Sequence, residues 1–242
     1  MNQQSRSQKS LVRSFGSTQM PAGVLAVAVV VAALVVGAMA GWPWVRSELR
    51  AYSVLQQVAG QPVPWMVGAL VAEPITTEDV TYTIPDAATA TPETVRGRLY
   101  LPVDSSGNTA HDGPAMVVLH GVHHLGIDEP RLEAFAAAMA SCGVRVLTPE
   151  LPAIKDYHVG QESVRTIGES AQWLAAKTGG PVGVMGLSFS GGLALLAAAD
   201  PAYQKAFRFV VAVGAQASMV RVADYYRTGE DLRPDGTIER LA

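Results

Sequence analysis

The sequence predicts an α/β domain with a mostly parallel sheet and flanking helices, preceded by one transmembrane helix. Three observations support this prediction. An uncharged apolar run lies near the N-terminus, short apolar runs alternate with helical patterns from about Thr77 onward, and one such run enters a small-residue helix through a tight turn bearing a serine. Strands that alternate with helices are typical of crossover units, and crossover units build parallel sheets.

The composition sets the class of protein. The chain has 242 residues, of which 49% are hydrophobic and 16% charged, so a large core is expected and global disorder is not. The formal net charge of −3 gives no electrostatic basis for binding nucleic acid. Cys142 is the single cysteine, which excludes an intramolecular disulfide and a cysteine metal cluster. Its apolar neighbours predict a small buried thiol at a helix end.

The N-terminal 45 residues predict a membrane anchor. Residues 1–19 form a basic tail, and residues 20–45 carry no charge. A helix needs roughly 20 apolar residues to cross the hydrocarbon layer, and this run is longer. Trp42 and Trp44 follow at the position of an aromatic belt. The charge bias predicts a cytoplasmic N-terminus, with the remaining chain outside the cytoplasm.

A cleaved signal peptide is the alternative, because Ala38-Met39-Ala40 before Gly41 fits a cleavage site. Both interpretations export the domain. Residues 46–76 are interpreted as a connector, in which 46–59 extends the helix and the prolines of 61–64 end it. The apolar segment 65–72 is too short to span a membrane, so we expect it on the membrane surface or packed under the domain.

The domain is predicted over residues 77–242. Two half-exposed, antiparallel strands are predicted first, at Val80–Ile84 and Val95–Leu101. Continuous apolar runs then predict buried strands, at Ala115–Leu119, Val144–Leu147, Val182–Leu187 and Phe207–Val213. Helical patterns lie between them, at 130–142, 164–178 and 191–199. Asp128 is the expected N-cap of the first helix, which is expected to stop at Gly143.

The most informative segment is Gly186-Leu187-Ser188-Phe189-Ser190-Gly191. A strand that turns sharply into a helix holds a serine in strained backbone geometry with its hydroxyl exposed. Small residues are required two positions before and after the serine, because strand and helix approach closely there. Gly186 supplies the first, whereas the second is Ser190 followed by Gly191. This departure from the usual glycine leaves open a register with Ser190 as nucleophile, although Ser188 is preferred.

A second motif, His120-Gly121-Val122-His123-His124, follows an earlier buried strand. With the helix after Asp128, the strand ending in Thr148-Pro149 and the serine turn, it makes residues 77–242 resemble an α/β-hydrolase of the dienelactone-hydrolase or acyl-esterase kind. The resemblance covers about two-thirds of such a domain, so the fold is expected to be C-terminally incomplete. It implies hydrolysis of a small-molecule ester or related acyl compound through an acyl-serine at Ser188. Phe189 and either Gly121 or Val122 are the implied oxyanion-hole donors.

The histidines have other interpretations. Three histidines in five residues suggest a metal site, but His123 and His124 are adjacent and no set of ligands at suitable spacing accompanies them. We expect His120 to close its loop by hydrogen bonding, and His111 and His158 to be solvated. No metal or other cofactor is expected, since Gly191-Gly192 lacks the Lys-Ser/Thr of a phosphate loop.

The family's acid and base are missing, because no histidine follows Ser188 in the sequence. A serine without a base is a weak nucleophile. Either the chain is the front part of a longer enzyme, which is preferred, or it uses the fold without catalysis. Rescue by His120, His123 or His124 requires their loop to reach the serine. We expect the strand 207–213 to be a sheet edge, and the 242-residue chain to be poorly soluble and inert toward activated esters.

Three functions therefore remain open from the sequence. The preferred hypothesis is a membrane-anchored serine hydrolase. The second is a non-catalytic anchored protein with the same fold, and the third is a peptidase of that fold. A histidine beyond residue 242 favours the first over the second.

Overall fold

The computed structural model describes residues 22–85, 92–104, 106–109 and 113–240. The chain divides into two compact units, residues 1–45 and 46–242. The expected tail 1–19, together with Met20, Pro21 and His111, lies outside the described residues. Helix α1 (Ala22–Val58) supplies all of the first unit that is described. Within it the stretch Val29–Val58 contains an unburied window with a mean hydropathy of 1.6, so it is long and apolar enough to cross a membrane.

The second unit is built around a six-stranded sheet of order β1-β2-β4-β3-β5-β6. Strands β1 and β2 form an antiparallel pair, β2 and β4 are also antiparallel, and β3, β4, β5 and β6 run parallel. The strands are β1 (Ile75–Ile84), β2 (Glu93–Pro102), β3 (Ala115–Leu119), β4 (Arg145–Pro149), β5 (Val182–Leu187) and β6 (Phe207–Val213). The helices up to β6 are α2 (Trp65–Val71), α3 (Pro130–Ser141), α4 (Pro152–Lys155), α5 (Gln161–Thr178) and α6 (Phe189–Ala199).

The mostly parallel sheet with helices between its strands confirms the predicted fold class. The sequence placed all six strands of this sheet, although β1 begins at Ile75, five residues before the predicted start. Helix α5 ends at Gly179, which adopts a left-handed conformation (φ 80°) suited to glycine.

The prediction of Asp128 as the N-cap of α3 is wrong. Glu129 is the cap, and its carboxylate accepts a hydrogen bond from the Leu132 amide at 2.9 Å. Asp128 instead ends a short 3₁₀ turn and pairs with Arg96 and Arg98, both at 2.9 Å. Two guanidinium partners in the tertiary structure outweigh the local preference of an aspartate for the cap.

The two faces of the sheet carry separate apolar layers. Helices α5 and α6 cover one face, where Ile167, Leu174 and Leu193 are buried against β3 and β5. Helix α3 covers the other face through Leu132 and Ala136. Burial on both sides explains why β3, β4 and β5 are continuous apolar runs.

The last turns of α1 belong to the second unit and pack within it. Ser53 is buried, and Gln57 donates a hydrogen bond to the Ser141 hydroxyl at 3.4 Å. The thiol of Cys142 donates to the Arg50 carbonyl oxygen at 3.5 Å, and Arg50 pairs with Glu73 at 2.7 Å. Cys142 is buried at the end of α3, which confirms the prediction for this residue. Helix α2 buries Val71 and exposes Trp65, Met66 and Leu70.

Strand β6 is the last strand of the described sheet, as expected. It exposes Phe209, Val211 and Val213. The chain then forms α7 (Met219–Thr228) and a two-stranded hairpin of β7 (Glu230–Leu232) and β8 (Ile238–Arg240). The side chains of α7 are all exposed or half-buried.

Candidate active site

Ser188 joins β5 to α6 in an unusual backbone conformation, with φ 57° and ψ −128°. A positive φ is costly for a residue with a Cβ and persists only where the surrounding structure imposes it. Here the Ser188 amide donates to the Val213 carbonyl oxygen at 2.8 Å, and its carbonyl oxygen accepts from the Gly191 amide at 3.0 Å. The turn therefore holds the Ser188 side chain exposed at the carboxyl end of the parallel strands.

The turn is tight because two glycines touch. A Cβ on Gly186 would lie 2.5 Å from the Gly191 α-carbon, and a Cβ on Gly191 would lie 2.9 Å from the Gly186 carbonyl oxygen. Backbone atoms on both sides leave no room for adjustment. The close approach of strand and helix thus involves Gly186 and Gly191, one position beyond Ser190.

Ser190 has a different environment from Ser188. It is fully buried, and its hydroxyl donates to the Leu187 carbonyl oxygen at 2.8 Å and accepts from the Leu187 amide at 3.0 Å. Both hydrogen-bonding functions of the hydroxyl are used in closing the turn. Of the two serines that the sequence left open, Ser188 alone is accessible.

The loop after β3 lies against this turn. A Cβ on Gly121 would be 3.6 Å from the Ser188 Cβ and 3.4 Å from the Leu187 carbonyl oxygen, so the loop passes close to the serine. Phe189 is the first residue of α6, where backbone amides point out of the helix. The amides of Phe189 and Val122 have no hydrogen-bond acceptor among the residues that the structure describes.

His120 is buried beneath the loop and is fully engaged. Its Nε2 accepts a hydrogen bond from the Leu151 amide at 3.0 Å, which leaves Nδ1 as the donor to the Gly121 carbonyl oxygen at 2.8 Å. Burial lowers the pKa of this imidazole, which favours the neutral form. The expectation that His120 closes the loop is confirmed, and its one acceptor nitrogen is occupied.

Sequence reasoning missed Glu150. Its buried carboxylate accepts from the Ile127 amide at 3.2 Å and pairs with Lys155 at 2.7 Å. Gly126 has φ 56°, and a Cβ there would lie 2.6 Å from a Glu150 carboxylate oxygen. The sequence did contain one indication of these contacts. Glu150 directly follows the buried strand β4, and a charged residue at such a position needs a partner.

Ser188 and Phe189 line a cavity of about 460 Å³. Its far walls come from the loop after β6, α7 and the β7–β8 hairpin, including Arg221, Asp231 and Glu239. Asp231 accepts hydrogen bonds from Arg221 at 2.8 and 2.9 Å. Among the described residues, no histidine lines this cavity.

A second cavity, of about 470 Å³, lies on the α3 side of the turn. It is lined by the loop residues 120–123 and by Leu132, Phe135 and Leu187, among others. His123 faces this cavity, and its ring stacks on exposed His124 with centroids 4.6 Å apart. His158 is exposed, as expected. The structure therefore places Gly121 near Ser188, whereas Val122 lines the second cavity, and among the described residues no histidine lines the cavity of Ser188.

Comparison with solved structures identifies the fold. Brefeldin A esterase, a bacterial homologue of human hormone sensitive lipase, superimposes with a TM-score of 0.52 at 19% identity, over 76% of this chain and 52% of its own. The structure of esterase Est22 gives a TM-score of 0.46 at 16% identity, over 77% of this chain and 57% of its own. The chain thus spans little more than half the length of these structures.

The first likeness establishes the fold. The chain has an α/β-hydrolase fold, and Ser188 stands at its strand–helix turn. No family model matches the sequence, and no curated protein matches it.

Proposed function

We propose that this protein is a serine hydrolase of carboxylic esters or related acyl compounds, with Ser188 as the nucleophile. The observation that carries the proposal is the strained, exposed conformation of Ser188, together with the nearby loop at Gly121 and a Phe189 amide that has no acceptor among the described residues. The esterases with a similar fold support the same reaction class. In this scheme the Ser188 oxygen attacks the carbonyl carbon, and the amides of Phe189 and Val122 stabilise the resulting oxyanion.

The reaction also needs a base that takes the serine proton and returns it to the leaving alcohol. His120 does not fill this role, because its acceptor nitrogen is bonded to Leu151. We propose that the base lies outside the described residues, and that the described residues alone do not turn over esters. Asp231 and Glu239 line the serine cavity, but a carboxylate alone is a weak base toward an alcohol.

A non-catalytic protein with this fold is the second candidate. It is favoured by the observation that, among the described residues, no histidine lines the Ser188 cavity. A peptidase of the same fold shares the acyl-serine chemistry of the first candidate, and substrate profiling separates the two.

We further propose that α1 anchors the protein in a membrane, with the N-terminus in the cytoplasm and the hydrolase domain outside it. The length and hydropathy of α1 support an anchor. The three basic and no acidic residues of the segment 1–19 support the orientation. Cleavage after Ala40 is the competing outcome, and the N-terminal residue of the mature protein distinguishes the two.

The decisive experiment supplies a base from solution. The full chain in detergent is incubated with a fluorophosphonate, with and without imidazole, and the labelled residue is found by peptide mass spectrometry. The Ser188 oxygen forms a bond to phosphorus, fluoride leaves, and imidazole takes the serine proton. We expect imidazole-dependent labelling of Ser188 that is lost in Ser188→Ala.

Ser190→Ala provides the matched control, because that hydroxyl is buried. It should leave Ser188 labelled, at a rate lowered only by the loosened turn. Absence of Ser188 labelling at every imidazole concentration would refute the nucleophile and favour the non-catalytic candidate.

A further inference from the structure

The loop of residues 120–128 is attached at both ends to one short segment of the chain. At its start, His120 accepts a hydrogen bond from the Leu151 amide at 3.0 Å. At its end, the Ile127 amide donates to Glu150 at 3.2 Å. The segment is itself fixed to the sheet, because the Glu150 amide donates to the Arg96 carbonyl oxygen at 2.8 Å. A displacement of residues 150–151 therefore moves the loop that carries Val122.

The side chain of Glu150 is built into this attachment. It is nine-tenths buried, with a side-chain exposure of 9%, and its charge is balanced by Lys155 at 2.7 Å. Gly126 lies so close that a Cβ there would meet the carboxylate at 2.6 to 2.9 Å. A buried carboxylate is costly without hydrogen-bond and ion-pair partners, and here the partners are the loop and Lys155.

Taken together, the contacts connect Glu150 to the serine site through the loop alone. Glu150 does not line the Ser188 cavity. The loop passes so close to the serine that a Cβ on Gly121 would lie 3.6 Å from the Ser188 Cβ, and an oxyanion donor must be placed within about 0.5 Å to act.

We propose that Glu150 is a positioning residue, which fixes the Val122 amide beside Ser188 by holding the far end of the loop. This proposal rests on the proposed function of the serine site. It adds a residue that acts on that site without touching the substrate.

The test compares three variants of the full chain in detergent. Glu150→Ala removes the acceptor, Glu150→Gln keeps a carbonyl oxygen for the Ile127 amide but loses the charge, and Glu133→Ala removes an equally ion-paired carboxylate that contacts Arg98. Two properties are measured, namely hydrogen exchange of residues 120–128 and the rate of imidazole-assisted phosphonylation of Ser188.

We expect Glu150→Ala to speed exchange in the loop and to slow labelling by about 10- to 100-fold, as a donor displaced by about 1 Å does. Glu150→Gln should restore labelling to within about threefold of the unmodified chain, since the hydrogen bond to Ile127 is kept. Glu133→Ala should change neither property. Both Glu150 variants lose the Lys155 ion pair, so a purely structural role would affect them alike.

Two results would overturn the proposal. One is equal labelling in Glu150→Ala and the unmodified chain, and the other is equal slowing in Glu150→Ala and Glu150→Gln. If Ser188 is not labelled in the unmodified chain, the proposed function fails. Loop exchange in Glu150→Ala equal to that of the unmodified chain then also refutes the attachment by Glu150.

Discussion

On one side of Ser188 the loop of residues 120–128 is held by buried groups that all have partners, whereas on the other side residues 214–240 are mostly exposed. His120, Ile127 and Glu150 are buried. The Ile127 amide donates a hydrogen bond to Glu150, and His120 accepts one from the Leu151 amide. Helix α7 has no buried side chain among its described residues, and its ion pairs lie at the surface. The side of Ser188 that carries the loop 120–128 is therefore better packed than the side that carries residues 214–240.

The largest effect is expected where the two glycines of the turn touch. Gly186→Ala places a Cβ 2.5 Å from backbone atoms of Gly191, and we expect a loss of about 3 kcal/mol in unfolding free energy. Thermal or urea unfolding measures it. Gly180→Ala is the control, because its Cβ meets no atom within 4 Å, and it should change stability by less than about 0.5 kcal/mol. Similar losses in both would mean that the turn is looser than described.

A smaller loss is expected at Gly126. An alanine there combines a positive φ of 56° with a contact to the Glu150 carboxylate, so we expect about 2 kcal/mol. Gly107 has a φ of 83° and no atom within 4 Å of an added Cβ, so Gly107→Ala measures the cost of the positive φ alone. We expect it to lower the unfolding free energy by about 1 kcal/mol. In a Glu150→Ala background the extra cost of Gly126→Ala should fall to that of Gly107→Ala. An unchanged cost would show that the carboxylate is not what the alanine meets.

The packed side should also respond to pH through His120. Burial lowers the pKa of this imidazole below its usual value of about 6.5, so the unfolded chain binds the proton first as the pH falls. The neutral His120 imidazole therefore contributes its full stability above about pH 6.5. This contribution is lost as the pH falls from about 6.5 through the lowered pKa. His120→Gln keeps a donor and an acceptor without a titrating group. Its melting temperature should decline less than that of the unmodified chain between pH 7.5 and 5.5, and equal declines would assign the effect to other residues.

The smallest effect is expected on the exposed side. Val211→Thr on β6 should change unfolding free energy by less than about 0.5 kcal/mol, because the side chain is 37% exposed. Val184→Thr on neighbouring β5 buries the same hydroxyl and should cost about 2 kcal/mol. Exposed apolar strands invite edge pairing, so Val211→Thr should also reduce aggregation measured by light scattering. A cost at Val211 equal to that at Val184 would mean that β6 is covered in solution.

The sequence determined the order of the six strands of the main sheet and of helices α3, α5 and α6, because apolar periodicity and glycines act locally. It did not predict α4, α7 or the β7–β8 hairpin. It also marked the serine turn, since the strand, the serine and the small residues are contiguous. It favoured Ser188 over Ser190 but left both registers open, because both serines occupy small polar positions in the same turn. That distinction depends on the hydrogen bonds of Ser190 to Leu187, which exist only once the turn has closed.

Contacts between distant residues were decided by the tertiary structure alone. Glu129 rather than Asp128 caps α3, because Arg96 and Arg98 from β2 attract Asp128. Glu150 meets Ile127 across 23 positions of sequence, and His120 meets Leu151 across 31. A local pattern specifies which residues form a strand or a turn, whereas the partner of a buried charge or imidazole is set by which strands become neighbours in the sheet.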